Sequence, residues 1–337
     1  MHSYLFDVET VRVAVVVGVI ISALFYEHVQ LTTGGAIVPG YLALFLPTPL
    51  FIVFTLAAAY LTFYIVNRVL ARRYILYGRR KFEVEILTGL VIIAVSTAIA
   101  HFVVRFHPLL LALYGIGFVI PGILAHDMFR QTPRKTVVAV LANVAIVGLI
   151  VYIFYSLLRI APWYAPAEVP AFAGQDLGYP LDMLLLAVIT SVLVGMLVFS
   201  KLGLRTGGFV SGAYLALVML RPLDLLFAAG VAVVTYVFVT GFLMKQLILF
   251  GRRKLGMMVL TAAVFAWAGE IAIRNLTGGA YIPWSGFHVI TLMIPALLAN
   301  DSQRQGIYRT LWGTAITAVA VFAVMNLADA ARVYFAA

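Results

Sequence analysis

The chain has 337 residues, is 64% hydrophobic and only 11% charged, with a mean hydropathy of +1.07; a soluble globular domain averages about 25% charged residues, so an ordinary soluble fold is excluded. Its net charge of +10 sits in short basic stretches between apolar runs, the distribution of membrane topology rather than of nucleic-acid binding. With no cysteine there are no disulfides, no thiol chemistry and no cysteine-ligated metals.

In chain order, apolar runs cover 11–26, which carries Arg12 near its start, and then, free of charge, 51–67, 86–100, 136–158, 183–200, 225–244, 257–269 and 310–328. Apolar segments of about 17–25 residues cross a bilayer as helices, because lipid offers no partner to an open backbone. The expected fold class is all-α, a polytopic helical membrane protein. The first run lacks a basic leader and a small-residue cleavage site, so it reads as a retained span rather than a signal peptide.

The chain also repeats itself. TGGAIVPGYLAL (33–44) returns as TGGFVSGAYLAL (206–217), ILYGRRKF (75–82) as ILFGRRKL (248–255), and IPGILAHDMFRQT (120–132) as IPALLANDSQRQG (294–306). The offsets are 173, 173 and 174, so the chain reads as two copies of one module. Residues 1–160 form copy one and 183–337 copy two. The joint between them, 161–182, is rich in Pro and Gly and carries acids but no bases.

Of the 23 bases, 17 fall in five clusters after or between the runs. Basic loops stay cytoplasmic, so an even number of crossings should separate the clusters. That gives about six crossings per copy, the second short and Gly-rich, with the copies parallel and both termini and the joint outside. The rival arrangement makes 34–46 re-entrant and inverts copy two.

Three blocks are candidates for function. Gly34, Gly35, Pro39 and Gly40, followed by Tyr41, break a helix; the repeat supplies Gly207, Gly208 and Tyr214. Such a break either lines a pathway or packs tightly through small residues. Pro39 and Gly40 align with Gly212 and Ala213, and Glu27, which closes the first span, aligns with Ser200, so the copies are not equivalent there. The second block is cationic: Arg79, Arg80 and Lys81 with Arg252, Arg253 and Lys254. The third is Asp127, Arg130 and Gln131 with Asp301, Arg304 and Gln305. Its acid and base stand three apart, a spacing that suits either an interfacial ion pair or a docking surface. Glu270 and Arg274 read as a structural pair. His101 and His107 make a weak metal site. The catalytic motifs of nucleotide-binding loops, serine hydrolases and zinc proteases are missing, and no catalytic residue or cofactor is assigned.

In their order, GGAIVPGYLAL, YILYGRRKF and IPGILAHDMFRQ, with VGVIISALFYE (17–27) upstream, resemble the poly-γ-glutamate synthesis protein C family (PgsC/CapC), here as a tandem fusion. The resemblance implies a non-catalytic membrane subunit of a capsule-type polymer synthase in a bacterial or archaeal cell membrane. It would work beside a Mur-ligase-like ATP-dependent amide ligase and an extracytoplasmic accessory subunit, and would assist synthesis and export of an anionic polymer. Anionic lipids are further expected partners of the basic loops. A secondary transporter for a small solute and a membrane scaffold for the ligase remain the other readings.

Overall fold

The computed structural model describes residues 8–103, 116–160, 177–284, 287 and 289–336. Every regular element among them is helical, and eight of the helices are long and apolar enough to cross a membrane. The chain divides into two compact units, Met1–Ala167 and Glu168–Ala337.

Unit one opens with α1 (Val8–Val29) and the six-residue α2 (Val38–Ala43). Next, α3 (Pro49–Tyr64) runs through a π turn, Ile65–Leu70, into α4 (Ala71–Arg73). Then come α5 (Gly78–Val103), α6 (Ile120–Gln131) and α7 (Pro133–Ile160). Proline opens α3 and α7 at their first residue and α2 and α6 within the first turn, where its missing N–H costs no intrahelical bond.

The contacts give the direction of each pass. The end of α1 meets the α6/α7 corner through Thr32 and Gln131, and the α4/α5 hairpin meets α6 through Glu85 and His126. These contacts collect the basic clusters of the unit, 68–81 and 130–135, at one end, with Arg12 at the other. From that end the chain turns back through α2, whose Gly40 backbone lies on Ala14 and Val15, midway along α1. Leu46 reaches Gly148, midway along α7, and α3 then starts its 25-residue return. A six-residue helix is about 9 Å long and cannot cross a hydrocarbon core of about 30 Å. The second pass is therefore a broken segment, sheltered by protein as freed backbone at membrane depth must be. Val38, Pro39, Gly40, Leu42 and Ala43 are all buried.

Unit two repeats the order. A 3₁₀ turn, Leu181–Met183, leads into α8 (Leu184–Leu202), followed by the short α9 (Ser211–Leu217). The α10 helix (Pro222–Phe238) runs through the π turn Val239–Leu243 into α11 (Met244–Gln246). Then follow α12 (Gly251–Leu276), α13 (Ile290–Gln305) and α14 (Ile307–Ala336). Gly178 and Tyr179 strap this unit: Gly178 N–H donates to Leu217 O at 2.6 Å and Tyr179 Oη to Ala213 O at 2.9 Å. In each unit the first and last long helices run from and to the end away from the basic clusters, which makes the number of passes per unit even.

Candidate functional site

The glycine block forms a loop locked by the third block. After α1 ends, Gly34 and Gly35 take φ of 81° and 93°, conformations open to glycine but costly for other residues. Asp127, buried on α6, accepts the Gly34 N–H at 2.9 Å. One helical turn on, Gln131 clamps Thr32 at both backbone groups, accepting its N–H at 2.7 Å and donating to its carbonyl at 2.6 Å. The same amide donates to Thr136 Oγ1 at 3.0 Å. Ser22 of α1 and Thr33 share a buried hydroxyl pair at 2.5 Å.

The lock recurs in copy two. Asp301 accepts the Gly207 N–H at 3.2 Å, Gln305 takes the Arg205 N–H at 2.8 Å and returns a bond to its carbonyl at 2.9 Å, and Thr310 stands where Thr136 does. Gly207 and Gly208 have φ of 73° and 101°. The Ser22 position is Gly195, which faces Thr206. The acid and amide that both copies share in the third block thus reach backward to a loop about 95 residues away, and Asp301 also stands 3.8 Å from Arg205. Arg130 and Arg304 stay exposed at the helix ends. Tyr41 is half-buried on α2; Tyr214, on α9, presents its ring edge-on to Phe287 at 5.9 Å. Glu27 is exposed in the last turn of α1. His107 lies outside the described residues.

The cationic block opens α5 and α12. In copy one it is woven into acids: Arg79 Nε meets Glu83 at 2.6 Å. Lys81, only 7% exposed, donates to Asn67 Oδ1 at 2.6 Å and caps the Phe129 ring. Fully buried Glu85 bonds His126 Nδ1 at 2.6 Å, and that ring leans on Phe82. Arg80 is exposed. In copy two, Lys254 donates to Gln303 Oε1 at 2.5 Å, while Gly256 and Met258 occupy the places of Glu83 and Glu85, and Asn300 that of His126. Arg253 is exposed and Arg252 half-buried.

Sequence reading did not assign Glu83 or Glu85 a role. The signal was present, since "RRKFEVE" places an acid four residues after Arg79 and another four after Lys81, the spacing of helical ion pairs. It also missed a cluster at the opposite end of copy two. Buried Asp224 accepts from Tyr281 Oη at 2.5 Å and from Trp284 N–H at 2.9 Å, and pairs with Arg221 at 2.8 Å. Burial, then the bond to Asp224, raises the Tyr281 phenol above its ordinary value. Copy one has Thr48 and Phe51 at the positions of Arg221 and Asp224, so no repeat marked this cluster.

The family model described as Capsule biosynthesis CapC matches residues 17–137 and again 190–311. The PGA biosynthesis protein CapC of Bacillus subtilis (strain 168) is 35% identical over 119 residues, which cover 35% of this chain and 78% of that protein. The Capsule biosynthesis protein CapC of Bacillus anthracis is 36% identical over 119 residues, with the same coverage. No solved structure matches.

Proposed function

The chain belongs to the capsule biosynthesis CapC family, twice over in one polypeptide, and from that premise we propose that it is the membrane subunit of a poly-γ-glutamate synthase and export complex. It performs no chemistry of its own in this reading. A separate ATP-dependent ligase joins the glutamates, and this subunit receives the anionic product and assists its outward passage.

The observation that carries the reading is the coincidence of two features in each copy. A broken, locked segment enters the membrane, and a block of cations rims the end where it enters. Positive charge at the receiving mouth raises the local concentration of a polyanion. The rim is not uniform in availability. Lys81 and Lys254 are buried, whereas Arg80 and Arg253 are exposed and stand on the outer rim, where polymer or ligase would first meet the chain.

The test is a host carrying Arg80→Gln with Arg253→Gln. Extracellular polymer should fall by about tenfold, the scale of losing one or two charge-assisted contacts, while the amount of protein in the membrane stays constant. Wild-type polymer output from this variant would overturn the charge role. If the complex also loses the ligase on affinity purification, the exposed arginines serve docking, and the chain is a scaffold for the enzyme.

A further inference from the structure

The two copies share a backbone but not a charge balance. At the basic end of copy one, Arg79 is paired with Glu83, Lys81 lies within electrostatic range of Glu85, and Asp127 stands on α6 beside the glycine loop. At the corresponding places copy two has Lys254, Arg304 and Asp301, with Met258 for Glu85 and Gly256 for Glu83. It also gains Arg205 where copy one has Thr32. Arg304, Asp301 and Arg205 all lie within electrostatic range of Lys254. Three cations are therefore set against one carboxylate: that carboxylate is engaged by Gly207 N–H and, at 3.8 Å, by Arg205, and Lys254 donates instead to the neutral Gln303 Oε1 at 2.5 Å.

The cluster is built rather than incidental. Lys254 is 7% exposed and Asp301 9%. Arg205 sits on a backbone fixed at N–H and carbonyl by Gln305, so its side chain starts from a set position beside Asp301. A mostly buried ammonium beside two guanidiniums is unfavourable unless an anion joins it, and guanidinium forks suit carboxylates. The cluster borders the locked glycine loop, on the protein side of α12 and α13.

We propose that the basic end of copy two is a carboxylate-binding site, formed by Arg205, Lys254 and Arg304, that holds the anionic chain, while the matching positions of copy one carry their own acids and hold none there. The identity of the chain as a polycarboxylate rests on the reading above; the site itself rests on the geometry.

The experiment uses the purified full chain in nanodiscs of phosphatidylcholine, titrated with a short γ-linked glutamate oligomer. Parallel arms use inorganic phosphate and nanodiscs containing phosphatidylglycerol. Arg205→Gln with Arg304→Gln should weaken oligomer binding by about tenfold or more, the worth of two charge-assisted contacts. Met258→Glu with Asn300→His, which installs the pair of copy one, should weaken it as well although no cation is removed. Lys135→Gln, in a basic cluster of copy one, should leave it unchanged.

Each result decides a different statement. Oligomer binding that survives both copy-two variants overturns this site and leaves the proposed function standing. An oligomer that binds nowhere on the chain defeats both. Binding of phosphatidylglycerol without oligomer overturns the carboxylate assignment and makes the cluster a lipid site; binding of phosphate in place of oligomer overturns it too. Because Arg205 is half-buried and Arg304 exposed, their double variant keeps its fold even if the variant with a carboxylate placed at buried Met258 does not.

Discussion

At single residues, the duplication supplies its own controls. Thr132, between α6 and α7, is held at φ 88° and ψ 145°, a region that a β-branched residue enters only under strain. The matching residue of copy two is Gly306, at φ 93° and ψ 152°, with open space where a Cβ would stand. Thr132 is exposed, so its side chain returns little packing for that strain. Thr132→Gly should therefore stabilise copy one by about 1 kcal/mol, the relief of strain less the added freedom of the unfolded chain. Gly306→Thr should destabilise copy two by about 1–3 kcal/mol. Thermal unfolding of the detergent-purified chain reads both, and a lower midpoint for Thr132→Gly would refute the strain argument.

At the scale of elements, the glycine loop divides into two kinds of position. A Cβ on Gly34 would lie 2.5 Å from Leu124 Cδ2, whereas one on Gly35 meets Ile123 only at 3.6 Å. Both have positive φ. Gly34→Ala should thus cost about 2–4 kcal/mol from strain and overpacking together, Gly35→Ala about 1 kcal/mol from strain alone. Denaturant midpoints that rank the two equally would show that the α6 contact does not set the loop. The spans were legible in the sequence because burial in lipid needs long uncharged runs, and eight such runs became eight long helices. The broken second pass was legible from its glycines and its shortness. The lock was not. Asp127 and Arg130 suggest a local pair by spacing, and nothing local says that the carboxylate turns to an amide 93 residues away. The duplication held the remaining signal: copy two replaces Met128, Phe129 and His126 but retains Asp, Arg and Gln. The Asp and the Gln carry the backbone contacts, so both copies keep them.

For the whole molecule, the question is what a duplication achieves when the copies diverge. Each unit makes an even number of passes and begins and ends away from its basic clusters. Because basic loops stay inside, the expectation is that both GRRK blocks stand on the cytoplasmic side of the membrane. Divergence then acts on the basic end of each unit: copy one braces its GRRK block through Glu83, Glu85 and His126, and copy two has Gly256, Met258 and Asn300 at those places and so no acid there. At the far end the bias is reversed, with copy two holding the Asp224 cluster. A pathway used by a polyanion gains from one attractive entry rather than two competing ones, since a strong second site would retain the chain. The sidedness on which this rests is directly measurable, because the chain contains no cysteine to interfere. Tyr77→Cys and Phe250→Cys replace the highly exposed aromatic just before each GRRK block. In intact cells both should resist a membrane-impermeant thiol reagent, and both should react once the membrane is opened. Labelling of one but not the other from outside would invert copy two, separate the two cationic rims by the bilayer, and end the case for a common receiving face.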